Sequence, residues 1–226
     1  MKILGIDEAG RGPVIGPLVM CGYLIDGKKL LELRELGVKD SKLLSEKTRE
    51  KMEKKLKKIA DDFILFSIPA NEIDRLRTVM NLNRLEIEKM QEIINLLEPD
   101  VAIVDAIERN TKRFSKKLLA GIDNGVKLVA ENFADKNHPE VSAASIMAKV
   151  HRDNEIEKLH KKYGFFGSGY SSDERTIKFL KDYIKMNKEL PGFIRKSWMT
   201  IQLIKEENEQ SKLMKFFANK NLDGFR

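Results

Sequence analysis

The stretch Gly5-Ile6-Asp7-Glu8-Ala9-Gly10-Arg11-Gly12-Pro13-Val14-Ile15-Gly16-Pro17-Leu18-Val19 decides how the chain is read. Before it, Lys2 to Ile6 reads as a strand, and after it the apolar run Pro17 to Ile25 reads as another. The glycine-rich connection Gly10-Arg11-Gly12-Pro13 marks the turn between them, which predicts an antiparallel, hairpin-like start. Asp7 and Glu8 end a strand that otherwise reads as buried, a costly place for acids unless something cationic neutralises them. A metal ion would do that. Successive strand side chains point to opposite faces, so both acids share one site only if the backbone leaves regular pleating at Glu8.

Working outward, Ser45 caps a predicted helix that runs to about Ile59, and Phe63 to Ile68 returns as a strand. Leu82, Leu85, Ile87, Met90, Ile93, Ile94 and Leu97 recur at helical steps and stop before Pro99. A strand at Val101 to Val104, a helix near Thr111 to Leu119, a strand at Val126 to Val129 and a long helix from about Ser142 follow. Antiparallel strands first and β-α-β units afterwards predict an α/β fold with a mixed sheet covered by helices. Beyond Lys162 the pattern turns helical, with Ser171 and Glu174 at the spacing of a capping box. This divides the chain into a core over 1–165, a helical C-terminal lobe over 166–204 and a tail over 205–226, which opens with the polar run Lys205 to Lys212.

Composition narrows the class. A hydrophobic share of 42% supports a real core. A net charge of +7 and a pI near 9.3 suit a polyanionic partner, although a basic soluble protein would show the same balance. Cys21 is the one cysteine, which excludes an intrachain disulfide and a cysteine-based zinc site. No apolar run approaches a membrane span, and an acid arrives too early for a signal peptide, so a cytoplasmic protein is expected. His138, His151 and His160 show no metal-ligand spacing and are read as structural or solvent-facing. Trp198 is read as packed within the lobe.

Asp105 directly follows the strand Val101 to Val104, and Asp135 follows the next strand after a short loop. With Asp7 and Glu8 these acids could converge on one sheet edge and hold Mg2+ through oxygen ligands, or they could be solvated surface acids. Asp153, on the following helix, competes with Asp135 for the fourth place. Gly10 and Gly12 let a backbone approach a sugar, and Arg11 can meet the adjacent phosphate, as an alternative to an ordinary turn. Tyr170 lies in a glycine-flanked loop, placed to stack on a sugar or base or else to fill the core.

The quoted opening closely resembles the signature of ribonuclease HII. Further stretches match that family in order: Lys39-Asp40-Ser41-Lys42-Leu43-Leu44-Ser45, Val104-Asp105, Val141 to Val150, Gly167-Ser168-Gly169-Tyr170 and Arg195-Lys196-Ser197-Trp198-Met199-Thr200. Departures are small, with Ser171 where the family often has proline and Met147 where isoleucine is usual. The resemblance implies a ribonuclease H-like five-stranded mixed sheet and an endonuclease that cuts the RNA strand of RNA/DNA hybrids and embedded ribonucleotides. It makes Asp7, Glu8, Asp105 and Asp135 catalytic ligands of Mg2+ or Mn2+ in two-metal hydrolysis, yielding 5′-phosphate and 3′-hydroxyl ends. By the same resemblance Gly10, Arg11 and Gly12 recognise the ribonucleotide, Tyr170 contacts the following deoxyribose, and Lys39, Ser41 and Lys42 bind phosphates. A role in DNA replication and ribonucleotide excision repair, and a monomer, are expected. The rivals are another DNA nuclease of the same fold, or a non-catalytic nucleic-acid-binding module. Finally, Gln210, Leu213, Phe216 and Phe217 resemble the motif by which replication proteins dock on a sliding clamp, the last three forming one apolar plug in a helical turn. A terminal helix packing that face on its own core is the alternative.

Overall fold

The computed structural model describes residues 1–38, 44–122 and 125–223, with 212–223 described by their backbone alone. The chain begins with two antiparallel strands, β1 (Lys2–Ala9) and β2 (Leu18–Asp26), paired from Lys2↔Asp26 to Ala9↔Val19. After α1 (Leu30–Glu35) and α2 (Glu46–Ile59), β3 (Asp62–Ile68) adds antiparallel to β2. Then come α3 (Ala70–Leu76), α4 (Leu82–Leu97), β4 (Val101–Asp105), α5 (Thr111–Leu119), β5 (Lys127–Glu131), α6 (Ala134–Asn137), α7 (Pro139–Tyr163), α8 (Glu174–Met186) and α9 (Met199–Asp223). β4 joins β1 in parallel and β5 joins β4 in parallel, giving the order β3-β2-β1-β4-β5. This is the α/β mixed five-stranded sheet with flanking helices that the alternating pattern predicts.

Strand alternation sorts the core into two layers. Ile3, Val19, Cys21, Tyr23 and Ile25 face α7 and α2, while Leu4, Ile6, Leu18, Met20 and Leu24 face α4 and α5. A third core lies under α8 and α9, where Phe166, Leu180, Ile194 and Ile201 gather around Val14 and Ile15 from the β1–β2 connection. The lobe thus grips the glycine-rich segment from the far end of the chain.

Several boundaries move for physical reasons. β1 continues through Asp7 and Glu8 to Ala9, because β2 still supplies hydrogen-bond partners there. α7 begins at Pro139 rather than near Ser142, since proline at the first helical position sacrifices no intrahelical bond. Ser45 caps α2 as expected, its hydroxyl accepting from the Thr48 amide at 3.3 Å. Ser171 does not cap α8. Asp173 does, accepting from the amide of Arg175 at 3.0 Å. The polar run Lys205 to Lys212, with which the tail opens, is carried within the helix α9.

α7 lies against β1 with almost no gap. A Cβ added at Gly5 would meet the carbonyl carbon and oxygen of Glu140 at 2.3 Å and the Val141 nitrogen at 2.5 Å, all backbone atoms of the helix. At Gly22, by contrast, the nearest obstacle is the Ile93 Cγ2 methyl at 2.3 Å. We expect Gly5→Ala to cost about 3 kcal/mol and Gly22→Ala about 1 kcal/mol, because a backbone cannot step aside as a rotamer can. Urea unfolding of the two variants checks this, and equal losses would mean that α7 recedes from β1 freely.

Candidate active site

β1 and β4 run side by side only as far as Ile6↔Val104, so Asp7 and Asp105 sit where the two strands part. The pairing of β1 with β2 is unbroken through Ala9, so regular pleating persists at Glu8, yet the two acids still meet at the strand end, where the charges of Asp7 and Asp105 both act on Glu8. Asp7 therefore faces α7, and Glu8 lies on the α4 side, at the open end of the sheet. Asp7 is buried, its Oδ1 accepting from the Glu8 amide at 2.8 Å. Burial raises its carboxyl to about 6, with Asp105 adding to the rise and the Ser145 hydroxyl and Lys149 opposing it. Burial also pushes Glu8 well above the usual carboxylate range, and the charges of Asp7, Glu86 and Asp105 push the same way against Arg11. Glu8 Oε2 is buried with no hydrogen-bond partner.

Asp135 enters from the next connection. Phe133 adopts a left-handed backbone (φ 62°), unfavourable for a residue with a Cβ, and starts the short helix α6 that carries Asp135 in its first turn, buried. The amide of Ala134 donates to Asp105 Oδ1 at 3.2 Å, which ties the start of α6 to the end of β4. Asp153 is occupied elsewhere, accepting from Arg49 Nη2 at 2.9 Å and from Arg152 Nη1 at 3.1 Å. Among the described residues no group of three or more His, Cys, Asp or Glu already encloses a metal position. The donor set nevertheless suits a hard divalent cation. It consists of carboxylate oxygens, buried or half-buried, among which Asp7, Glu8 and Asp105 repel one another and Glu8 Oε2 is unsatisfied.

Beside the acids opens a cleft of about 400 Å3 lined by Glu8, the loop Gly10 to Gly12, the bases Arg49, Lys149 and Arg152, and Tyr170. Gly10 has φ 84°, and a Cβ there would approach the Pro17 carbonyl oxygen to 2.5 Å. Tyr170 is 38% exposed, faces Gly12 across the cleft mouth and carries the Arg152 guanidinium 5.2 Å from its ring centre. It does not fill the core.

Sequence reasoning missed the residues that hold this loop. Arg195 is fully buried and donates to the carbonyls of Gly10, Arg11 (2.9 Å) and Gly16 (3.0 Å). Trp198 donates its indole N–H to Gly12 O at 3.1 Å and is flanked by the Arg77 and Arg195 guanidinium groups, each 4.7 Å from its ring centre. All three carbonyls of Gly10-Arg11-Gly12 are thereby turned into the lobe. The Arg11 side chain is held too, donating to Glu86 Oε2 and, at 2.6 Å, to Asn83 Oδ1. Nothing local marks Arg195 as buried, but Glu86 carried a signal, being an acid on the apolar stripe of α4.

The remaining expected residues are placed only in part. Lys39, Ser41 and Lys42 lie outside the described residues. Gln210 is exposed on α9, and the side chains of Leu213, Phe216 and Phe217 are likewise outside what is described. His138 lies near Glu131 and Glu140, and His160 pairs with the Gly167 carbonyl, in keeping with structural roles.

Comparison with known proteins assigns the chain to a family. The family model described as Ribonuclease HII matches residues 4–201. Ribonuclease HII of Pyrococcus furiosus is 44% identical over 223 residues, covering 96% of this chain and 99% of its own. The crystal structure of ribonuclease H2 from Pyrococcus horikoshii superposes with a TM-score of 0.87 at 45% identity, covering 92% of this chain and 98% of that one. RNase HII in the PCNA:RNase HII complex from Archaeoglobus fulgidus superposes with a TM-score of 0.82 at 40% identity, covering 88% and 95%. With a matching family model over nearly the whole sequence and relatives this similar from end to end, the chain belongs to the ribonuclease HII family of endoribonucleases.

Proposed function

We propose that the protein hydrolyses the RNA strand of RNA/DNA hybrids and cuts at ribonucleotides embedded in duplex DNA, leaving 5′-phosphate and 3′-hydroxyl ends. Asp7, Glu8, Asp105 and Asp135 hold two divalent cations, Mg2+ or Mn2+. The observation that carries this reading is the set of mutually repelling carboxylates, Asp7, Glu8 and Asp105, beside a glycine-walled, basic cleft. When bound, such cations supply activation of a water molecule and stabilisation of the departing 3′-oxygen.

The chain's own groups do the rest. With its carbonyls directed into the lobe, the Gly10-Arg11-Gly12 backbone can come close to a sugar and register a 2′-hydroxyl, the group that separates ribose from deoxyribose. Tyr170, at the mouth of the cleft, stacks against the next sugar, and Arg11, Lys39, Ser41 and Lys42 meet phosphates. A phosphate backbone is drawn by the charge of +7. On the same proposal the protein acts as a monomer in the cytoplasm, in replication and ribonucleotide excision repair; no described helix is long and apolar enough to cross a membrane.

The C-terminal segment docks on a sliding clamp. Gln210, Leu213, Phe216 and Phe217 all fall within α9, with the last three at i, i+3 and i+4, the spacing that puts them on one helical face. The Archaeoglobus fulgidus relative in complex with PCNA supports this reading. Tethering raises the local concentration of the nuclease on newly made DNA.

Incubated with Mg2+ and a DNA duplex containing one ribonucleotide, the protein is expected to cut at that nucleotide, and Asp7→Asn to abolish the cut while duplex binding persists. Retained turnover in Asp7→Asn, or cleavage of an all-DNA duplex, refutes the assignment. A second expectation follows from the Asp7 carboxyl, ordinarily near 3.8 and here about 6. Across that window the folded state keeps a proton that the unfolded chain has lost, so metal-free stability should fall as pH rises through it. Added Mn2+ should raise Tm more at about pH 7 than at about pH 5, because cations displace those protons. Equal thermal shifts would place the bound cation elsewhere. Third, replacing Phe216 and Phe217 with alanine should weaken clamp binding at least about tenfold, or ~1.4 kcal/mol, while hydrolysis of free oligonucleotides stays nearly intact. Calorimetric titration checks it, and unchanged affinity with a markedly lower Tm would assign both rings to the protein's own core.

A further inference from the structure

Glu86 is used by no step of the proposed chemistry, yet it is placed with care. It lies on α4 between Leu85 and Ile87, four residues before Met90, all within the buried layer beneath the sheet. Its carboxylate is fully buried, with Oε1 lacking any hydrogen-bond partner and Oε2 accepting from Arg11 Nη1. A charge so placed is tolerated only when paired, and a hydrophobic side chain would fill the position at less cost. Its partner is therefore the reason to keep it.

Asn83 stands one helical turn earlier on the same face and accepts from Arg11 Nη2 at 2.6 Å. Two acceptors on successive turns match the planar fork of a guanidinium, which fixes its plane as well as its position. The Arg11 side chain remains 34% exposed, so one edge still faces the cleft. Meanwhile Arg195 and Trp198 hold the loop's three carbonyls. A loop containing two glycines is thus fixed at both backbone and side chain before any substrate arrives.

We propose that Glu86 is a positioning residue for substrate recognition, locking the Arg11 guanidinium onto α4 together with Asn83 so that it meets a substrate phosphate in a single orientation. This rests on the reading of Gly10-Arg11-Gly12 as the element that grips the ribonucleotide. Binding then incurs no ordering cost for a long, flexible side chain.

The test is a double-mutant cycle on a DNA duplex containing one ribonucleotide. Glu86→Gln keeps the shape and removes the charge. It should raise KM roughly fivefold, the scale of immobilising one rotamer-rich side chain, with kcat within about twofold. In an Arg11→Ala background the same substitution should add nothing. Asn83→Ala, which disturbs no buried charge, should raise KM in the same direction by about half that factor or less. If Arg11→Ala raises KM while Glu86→Gln leaves it unchanged, or if Glu86→Gln raises KM equally in both backgrounds, the positioning role is wrong and Glu86 merely fills the core. If Arg11→Ala itself leaves KM unchanged, the reading of the loop has failed, and the role of Glu86 with it.

Discussion

Two carboxylates at the buried end of a hydrophobic strand cannot both stay charged without help, and much of the molecule is arranged around that constraint. Asp7 receives Ser145 and the charge of Lys149 from α7, and Asp105 receives the Ala134 amide at the head of α6. The arginines nearby are committed to other acids, Arg11 to Glu86 and both Arg49 and Arg152 to Asp153. What remains around Glu8 is a local excess of negative charge from Asp7, Glu86 and Asp105. On the proposed function that excess is where divalent cations bind, so the cost of folding around it is part of what makes the site work.

The close contact of α7 with β1 serves the same end. Because Gly5 lets the helix backbone rest on the strand, Ser145 and Lys149 reach Asp7 from a rigid element rather than from a loop. The opposite face is built in parallel fashion, with α4 presenting Asn83 and Glu86 to Arg11. The groups beside the cleft on both sides of the sheet are therefore set by helices packed through long apolar stripes. Sites on such supports keep their geometry better than sites on loops.

Much of the fold was legible in the sequence because it is written in local signals. Periodic apolar residues marked α4, Ser45 marked the start of α2, and the glycine-rich turn between two apolar runs marked the antiparallel pair. The boundaries that shifted are those where two signals compete. Asp7 and Glu8 look like strand terminators, yet β2 keeps the ladder closed past them, and Ser171 had the right spacing to cap α8, yet Asp173 lies nearer and also accepts from the Ser168 amide. Of the site, the acids, the glycine loop and Tyr170 stand out in the sequence through the resemblance to ribonuclease HII, because residue type alone leaves solvated acids, an ordinary turn and a core tyrosine open. The roles of Arg195, Trp198 and Asn83 could not be read there, because each residue acts through a partner tens to nearly two hundred residues away and only the folded chain brings the two together.

The bonds from Arg195 have a temporal consequence. They join the loop to a residue nearly the whole length of the chain further on. On a ribosome the N-terminal part emerges first, and β1 and β2 can pair as soon as they are clear. The carbonyls of Gly10 and Arg11 find their donors only after the segment around Arg195 has been made and the lobe has closed over Val14 and Ile15. A nascent chain therefore acquires its sheet long before it acquires a finished loop, and the glycine wall of the cleft is among the last parts of the protein to take shape.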